Sequence, residues 1–236
     1  ARIFGTAFRD TWWQTETGPI LIATLPTHPL VAGAMGRPLP GLEVAIVRRN
    51  ETKDLPLTVL HAPGETGELA VRSGWPSMFT GYVNDRQRYE DCFLDDWYLS
   101  GDLVRRDADG CYWFVGRADD AIKVAGHLIG PPEVERVLLA HPAVADAGVF
   151  GVPDPVTYEA VKAVVVTKPG VVVDEALRRD LHAYARRVLG PSLAPRDLAF
   201  CERLPKTLSG KVLRRLLRAQ YLGLPSGDLS SVDPQL

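Results

Sequence analysis

Gly116-Arg-Ala-Asp-Asp-Ala-Ile-Lys-Val-Ala-Gly126 separates two kinds of pattern in this sequence, and that separation decides the fold. Before it, short apolar runs alternate with Gly/Pro turns. Leu42, Val44 and Ile46 alternate with Glu43, Ala45 and Val47. Residues 67–72 put Leu69 and Val71 on one face, and residues 111–115 follow the turn signal Asp107-Ala-Asp-Gly110. Short punctuated strands predict a distorted sheet or small β-barrel. After it, helices and strands alternate. Pro131-Pro132 opens a helix carrying Val134, Val137 and Leu138, and His141-Pro142 stops it. Strands follow at 144–152 and 159–167. Asp174 caps a helix with Leu177, Leu181, Tyr184 and Val188 on one stripe, closed by Gly190-Pro191. A last strand at 198–201 leads to a basic helix after Gly210. There Val212, Leu213, Leu216 and Leu217 share one face, while Arg214, Arg215 and Arg218 point elsewhere. The expected organisation is α+β, with domains at 1–118 and 119–236.

The composition narrows the function classes. The chain has 236 residues, 46% hydrophobic, with a small net charge, which supports a real core and argues against disorder. Acids (29) slightly outnumber Lys+Arg (27), which argues against a uniformly basic nucleic-acid binder. Cys92, Cys111 and Cys201 are scattered and odd in number, so neither a disulfide framework nor a zinc knuckle is expected. Reduced thiols in a cytoplasmic protein are the simple reading. The longest uncharged run, 19–36, carries Pro19, Pro26, Pro29 and His28 and does not read as a membrane helix. The chain opens on Ala1 in mixed sequence, and a piece of something longer is expected.

Four segments carry candidate chemistry. In Asp10-Thr-Trp-Trp-Gln-Thr-Glu-Thr-Gly18, hydroxyls and backbone donors suit phosphate oxygens, a carboxylate suits Mg²⁺, and an indole face suits a base. A core strand with a polar edge is the plain alternative. In Tyr98-Leu-Ser-Gly-Asp102, a turn aspartate can accept two hydrogen bonds from a ribose diol, or be only a turn. At the break, Arg117 suits a ribose or phosphate and Asp119 suits a hinge, against the alternative of a charged hairpin. In Leu204-Pro-Lys-Thr-Leu-Ser-Gly-Lys-Val-Leu-Arg-Arg215, the Ser209-Gly210 turn places Lys211 at a helix start. A cation is unfavourable there for the helix dipole, which hints at a phosphate clamp rather than a structural role. A solvated basic helix is the alternative. Pro205 and Val212 exclude a Walker A loop.

Together and in this order, these segments resemble the adenylate-forming ligases, and the double tryptophan resembles the AMP-forming acetyl-CoA synthetases. Residues 126–135 and 222–228 are similar to one acetyl/short-chain branch. The resemblance implies ATP, Mg²⁺ and CoA as cofactors and acetate or propionate as the acid. It makes 1–118 the end of the large ATP/acyl-binding domain, a distorted barrel or sheet, and 119–236 the small mobile α+β domain. It implies that Asp10, Thr11, Trp12, Trp13, Gln14 and Thr15 line the adenine and α-phosphate. Within that set, Trp12 lies against the base and Trp13 closes the acyl pocket. Glu16 would bind Mg²⁺, Asp102 and Arg117 the ribose, and Asp119 would be the hinge. Ala125 and Gly126 would face the pantetheine, and Arg186 a CoA phosphate. Lys211 would be the adenylation lysine and the target of a lysine acetyltransferase and deacetylase. Some relatives hold a cation on main-chain oxygens at the turn matching Leu139, His141 and Val144.

Two departures stand out. Leu128 occupies a position where the family usually has Arg, so the load of one ATP contact shifts to Arg117 and Lys211 or is lost. Ala125 occupies a position where acetyl-CoA synthetases often have Ser. No Ser/Thr/Gly-rich phosphate loop occurs in the 236 residues, so the expectation is that they neither adenylate nor thioesterify alone. A unit loading a carrier protein, and a non-catalytic acetylation substrate or binding module, are the competing readings. Neither nucleic acid nor membrane is expected as a partner.

Overall fold

The computed structural model describes residues 8–50, 56–226 and 232. The chain divides into two compact units, Ala1–Ala118 and Asp119–Leu236. In the first, β1 (Thr11–Trp12), β2 (Ile22–Ala23) and β3 (Arg37–Pro38) form a small antiparallel sheet. A larger sheet contains β4 (Val44–Arg48), β5 (Thr58–Val59), β6 (Thr66–Arg72), β7 (Phe93–Leu94), β8 (Trp97–Arg106) and β9 (Tyr112–Arg117). Its order is β5-β4-β6-β8-β7, with β9 also on β8. The short helix α1 (Arg86–Glu90) precedes β7. Among the described residues the sheet does not close, so the barrel alternative gives way to an open, bulged sheet.

The period-two reading of β4 and β6 holds for the faces but not for their polarity. Ile46, Leu69 and Val71 enter one core with Trp12, Ile22, Val104 and Tyr112. Ala45, Val47 and Ala70 enter a second on the opposite face. Both faces are covered, so the alternate positions are apolar as well.

The second unit is a three-layer arrangement. Its strands are β10 (Ile122–Val124), β11 (His127–Ile129), β12 (Val144–Asp154), β13 (Tyr158–Thr167) and β14 (Asp197–Phe200). β12 and β13 form a long antiparallel pair, and β14 adds parallel to β13. Helices α2 (Pro131–Leu139) and α3 (Glu175–Leu189) cover the face bearing Val149, Val161, Ala163 and Val165. Helix α4 (Arg214–Leu222) covers the other face through Leu217, against Phe150, Val152 and Ala160. Coverage on both sides explains the nearly unbroken apolar run from Val161 to Val166. Asp174 caps α3 as expected, accepting from Leu177 N at 2.8 Å. The buried stripe runs through Leu181 and Ala185 with Leu177 and Leu189 beside it, while Val188 is 53% exposed.

The basic helix begins later than its sequence suggests. Thr207 N donates to Lys211 O, and Leu213 N donates to Pro205 O. These hairpin bonds hold Lys211 outside α4, which starts at Arg214. Lys211 is therefore a turn residue and escapes the unfavourable end of the helix dipole.

Candidate functional site

In the first unit three of the predicted nucleotide residues, Trp12, Gln14 and Arg117, converge on a fourth, Asp102. This carboxylate lies in β8, is 6% exposed, and draws three donors from two parts of the chain. Oδ2 accepts from Trp12 Nε1 and from Gln14 Nε2, each at 2.8 Å. Oδ1 accepts from Arg117 Nη1 at 2.9 Å. A carboxylate has roughly four acceptor positions, so about one remains for a ligand donor. A ribose diol could not place both hydroxyls on Asp102 without releasing one of these three partners.

The surroundings fix this geometry. Between Glu68 and Ala70 of β6, three residues of β8 oppose one, which makes a bulge at Ser100-Gly101-Asp102. Gly101 has φ +69°, and a Cβ there would lie 2.8 Å from Arg117 Nη2. The Gly101 N–H donates to Glu68 Oε1 at 2.9 Å, and Arg49 grips the same carboxylate with two bonds of 2.7 Å. Tyr98 donates its hydroxyl to Gln14 Oε1 at 2.7 Å, which orients the amide so that its NH₂ faces Asp102 and Ser100 O. Burial pushes the Tyr98 phenol well above its ordinary range, so it stays a donor.

The rest of the Asp10–Gly18 segment forms a turn held by Thr17, which is fully buried. Its hydroxyl oxygen accepts from Gln14 N at 2.8 Å, and its carbonyl accepts from Trp75 Nε1 and Ser77 Oγ. Asp10 and Thr15 are exposed, Thr11 half-buried on β1. Trp12 departs from its expected place against a base. Its ring is 4% exposed and packs in the core, because the indole N–H is needed by buried Asp102. The accessible indole is Trp13, at 56%.

Glu16 accepts from Tyr82 Oη at 2.7 Å through Oε1. Burial, with this bond second, raises the Tyr82 phenol well above its ordinary range. Among the described residues no cluster of three or more His, Cys, Asp or Glu could hold a metal. A lone carboxylate fits Mg²⁺, which takes one or two protein carboxylates and completes its shell with phosphate oxygens and water.

In the second unit, Asp119 is the first residue after the boundary. Ala125 (φ +47°) and Gly126 (φ +86°) form the two-residue tip between β10 and β11, both left-handed and exposed. Positive φ at both positions marks a type I′ turn, which gives Gly126 a conformational reason of its own. Arg186 is exposed in the last turn of α3. Lys211 is exposed, and its ammonium makes no hydrogen bond or ion pair among the described residues. Its turn is tight: Gly210 N donates to Thr207 O at 2.8 Å, and Lys211 N donates to Thr207 Oγ1 at 3.1 Å.

His141 is 6% exposed, and its Nε2 lies 3.1 Å from Asp180 Oδ2. Its carbonyl already accepts from Val144 N, so a cation at Leu139, His141 and Val144 would use the remaining lone pair. Arg214, expected to point away, instead reaches inward to Glu135 and Asp120. Thr17, Tyr98 and Ser100 lie within the segments the sequence marks but carry no role of their own there, and Glu68 lies outside them. A buried-type position carrying a polar residue, such as Glu68 inside the run Gly67–Val71, was the available signal.

The chain matches two families of known proteins. Residues 1–83 match the AMP-binding enzymes, and residues 133–211 match the AMP-binding enzyme C-terminal domain. The acetyl-coenzyme A synthetase of Bacillus subtilis (strain 168) is 42% identical over 233 residues, covering 98% of this chain and 40% of that protein. That of Pyrobaculum aerophilum is 41% identical over 235 residues, covering 97% of this chain and 34% of that protein. The chain thus spans 34–40% of the length of these curated relatives. Among solved structures, ATP-bound MatB from Rhodopseudomonas palustris superposes with a TM-score of 0.76 at 28% identity, covering 92% of this chain and 41% of its own. A benzoate CoA ligase from Burkholderia xenovorans LB400 gives 0.74 at 35%, covering 91% and 41%. With its two halves matching the two parts of this family in order, the chain belongs to the AMP-binding, adenylate-forming enzymes.

Proposed function

We propose that this chain is the C-terminal part of an ATP-dependent ligase that joins acetate, or another short acid such as propionate, to CoA through an acyl-adenylate. Residues 1–118 are then the end of the large ATP/acyl-binding domain and 119–236 the small mobile domain. The observation that carries this reading is the buried Asp102, preorganised by Trp12, Gln14 and Arg117 with about one acceptor position to spare. That arrangement suits one ribose hydroxyl, with Arg117 serving the second.

The substrate carboxylate attacks the α-phosphate of ATP, the bond to pyrophosphate breaks, and acyl-AMP forms. The exposed Lys211 ammonium offsets charge developing on the phosphate oxygens. Asp10, Thr11 and Thr15 supply polar groups to the nucleotide, and the open indole of Trp13 limits acid length by occupying volume. Glu16 is the carboxylate that would hold Mg²⁺, and the ion would supply neutralisation of phosphate charge there. The small domain then turns at Asp119. The Ala125-Gly126 tip, with no side chain at Gly126, faces the pantetheine, and Arg186 meets a CoA phosphate. The thiol sulfur attacks the acyl carbon and AMP leaves. One mobile domain builds the two sites in turn. Acetylation of Lys211 by a lysine acetyltransferase removes the charge the first step needs, and a deacetylase restores it. The use of ATP and CoA supports a cytoplasmic setting for this work. No helix among the described residues is long and apolar enough to cross a membrane.

The test uses the full-length ligase. Acetate- or propionate-dependent exchange of pyrophosphate into ATP reads the first half-reaction. Lys211→Ala should lower it about 10²–10³-fold, while thioester formation from supplied acyl-AMP persists. Absence of such exchange in the wild type would overturn the reading. The 236-residue chain alone, without a Ser/Thr/Gly-rich phosphate loop, is expected to release no AMP in the presence of CoA and acetate.

A further inference from the structure

The proposed reaction leaves one half-buried charged cluster of the second unit without a role. Arg214 grips Glu135 with a two-pronged fork, Nε to Oε1 at 2.8 Å and Nη2 to Oε2 at 2.7 Å. Its Nη1 reaches Asp120 Oδ2 at 3.1 Å. Glu135 is 8% exposed, and its Oε1 also accepts from Val149 N at 3.0 Å. One side chain of α4 therefore ties together α2, β12 and the segment that opens the unit. Burying a glutamate and much of an arginine is costly, and an apolar set of similar volume is often as stable. Stability alone is a weak reason for this fork, whereas the geometry it fixes is a stronger one.

What it fixes is the start of α4. Leu213 at the N-cap supplies no side-chain cap bond, and the first turn contains no acid. The helix start is held by the Arg214 fork and by Leu213 N donating to Pro205 O at 2.8 Å. Lys211 stands three residues earlier, on the turn closed by Thr207. The same guanidinium holds Asp120, next to the proposed hinge residue.

We propose that Arg214 is a positioning residue for Lys211, locking the lysine turn to the segment beside the hinge so that both move as one body. The proposal rests on the reading of Lys211 as the adenylation lysine. A misplacement of about 1 Å at a reacting group can cost about 10²-fold in rate, so the anchor of a long, exposed side chain has leverage.

In the full-length ligase, Arg214→Lys keeps the charge and loses the planar fork, and Glu135→Gln keeps the shape and loses the charge. Each should slow pyrophosphate exchange about tenfold or more through kcat, with the KM for ATP within about twofold. Thioester formation from supplied acyl-AMP should stay near the wild-type rate. In a Lys211→Ala background neither substitution should add to the loss, because both act through the same ammonium. If one variant folds poorly, the other carries the same comparison. A merely structural fork gives a different pattern: both half-reactions fall together, and the losses multiply with that of Lys211→Ala. That pattern overturns the proposal, as does wild-type exchange in both variants. If Lys211→Ala itself leaves exchange unchanged, the reading of Lys211 falls first and the role of Arg214 falls with it.

Discussion

Trp12 donates its indole N–H to Asp102 Oδ2 at 2.8 Å, joining residues 90 positions apart inside the core of the first unit. Trp12→Phe keeps most of the apolar volume and removes this donor to a buried carboxylate. The expected cost is about 1.5–3 kcal/mol, the range for hydrogen bonds to charged groups. Trp13→Phe, at an exposed ring, should cost about 0.5 kcal/mol or less. Urea unfolding of the two variants checks the contrast, and equal costs would remove Asp102 as the reason for the buried tryptophan.

Gly101 meets two independent constraints, its φ of +69° and the Arg117 guanidinium lying where a Cβ would go. Gly101→Ala should destabilise by about 1–2 kcal/mol from backbone conformation alone. It should also push Arg117 off Asp102 and weaken AMP binding by the full-length ligase, read by calorimetric titration. Retained affinity with reduced stability would separate the turn from the nucleotide.

These relationships mark how far sequence reading reached. The β12–β13 pair and the Asp174 cap are legible because period and capping are local. Asp10–Gly18, Asp102 and Arg117 stood out by composition, but their convergence did not, because it depends on strand order and on a bulge in β8. The burial of Trp12 is hidden for the same reason: nothing local says that one indole of an adjacent pair is core and the next open. Arg214 sits among arginines of the same local character, and only the arrival of Glu135 from α2 distinguishes it.

Asp154 gives the second unit a pH signature. Its Oδ1 accepts from Thr157 N at 2.7 Å, from Thr157 Oγ1 at 2.8 Å and from Val156 N at 3.0 Å, while Oδ2 meets Arg196 at 2.6 Å. The Thr157 bonds come first among the causes that pull its pKa from 3.8 down to about 2. A carboxylate depressed on folding contributes stability above its unfolded value, and that stability is lost as pH falls through the folded value. The window is therefore about pH 4 down to pH 2. Asp154→Asn should flatten the loss of urea midpoint across this window and lower the midpoint at pH 7. An unchanged acid limb would assign the acid sensitivity to other carboxylates.

The Ala125-Gly126 tip allows conformation and passage to be measured apart. Ala125 occupies a left-handed position that costs a non-glycine residue about 1–2 kcal/mol, and asparagine is favoured there in type I′ turns. Ala125→Asn should therefore raise stability by about 0.5–1 kcal/mol. At Gly126 a Cβ would meet nothing within 4 Å, so Gly126→Ala should lower stability only through its φ of +86°. Urea unfolding reads both effects. If pantetheine passes this backbone, Gly126→Ala should also slow thioester formation from supplied acyl-AMP by more than the lost stability explains, leaving pyrophosphate exchange intact. Equal slowing of both half-reactions would make the glycine a turn residue and nothing more.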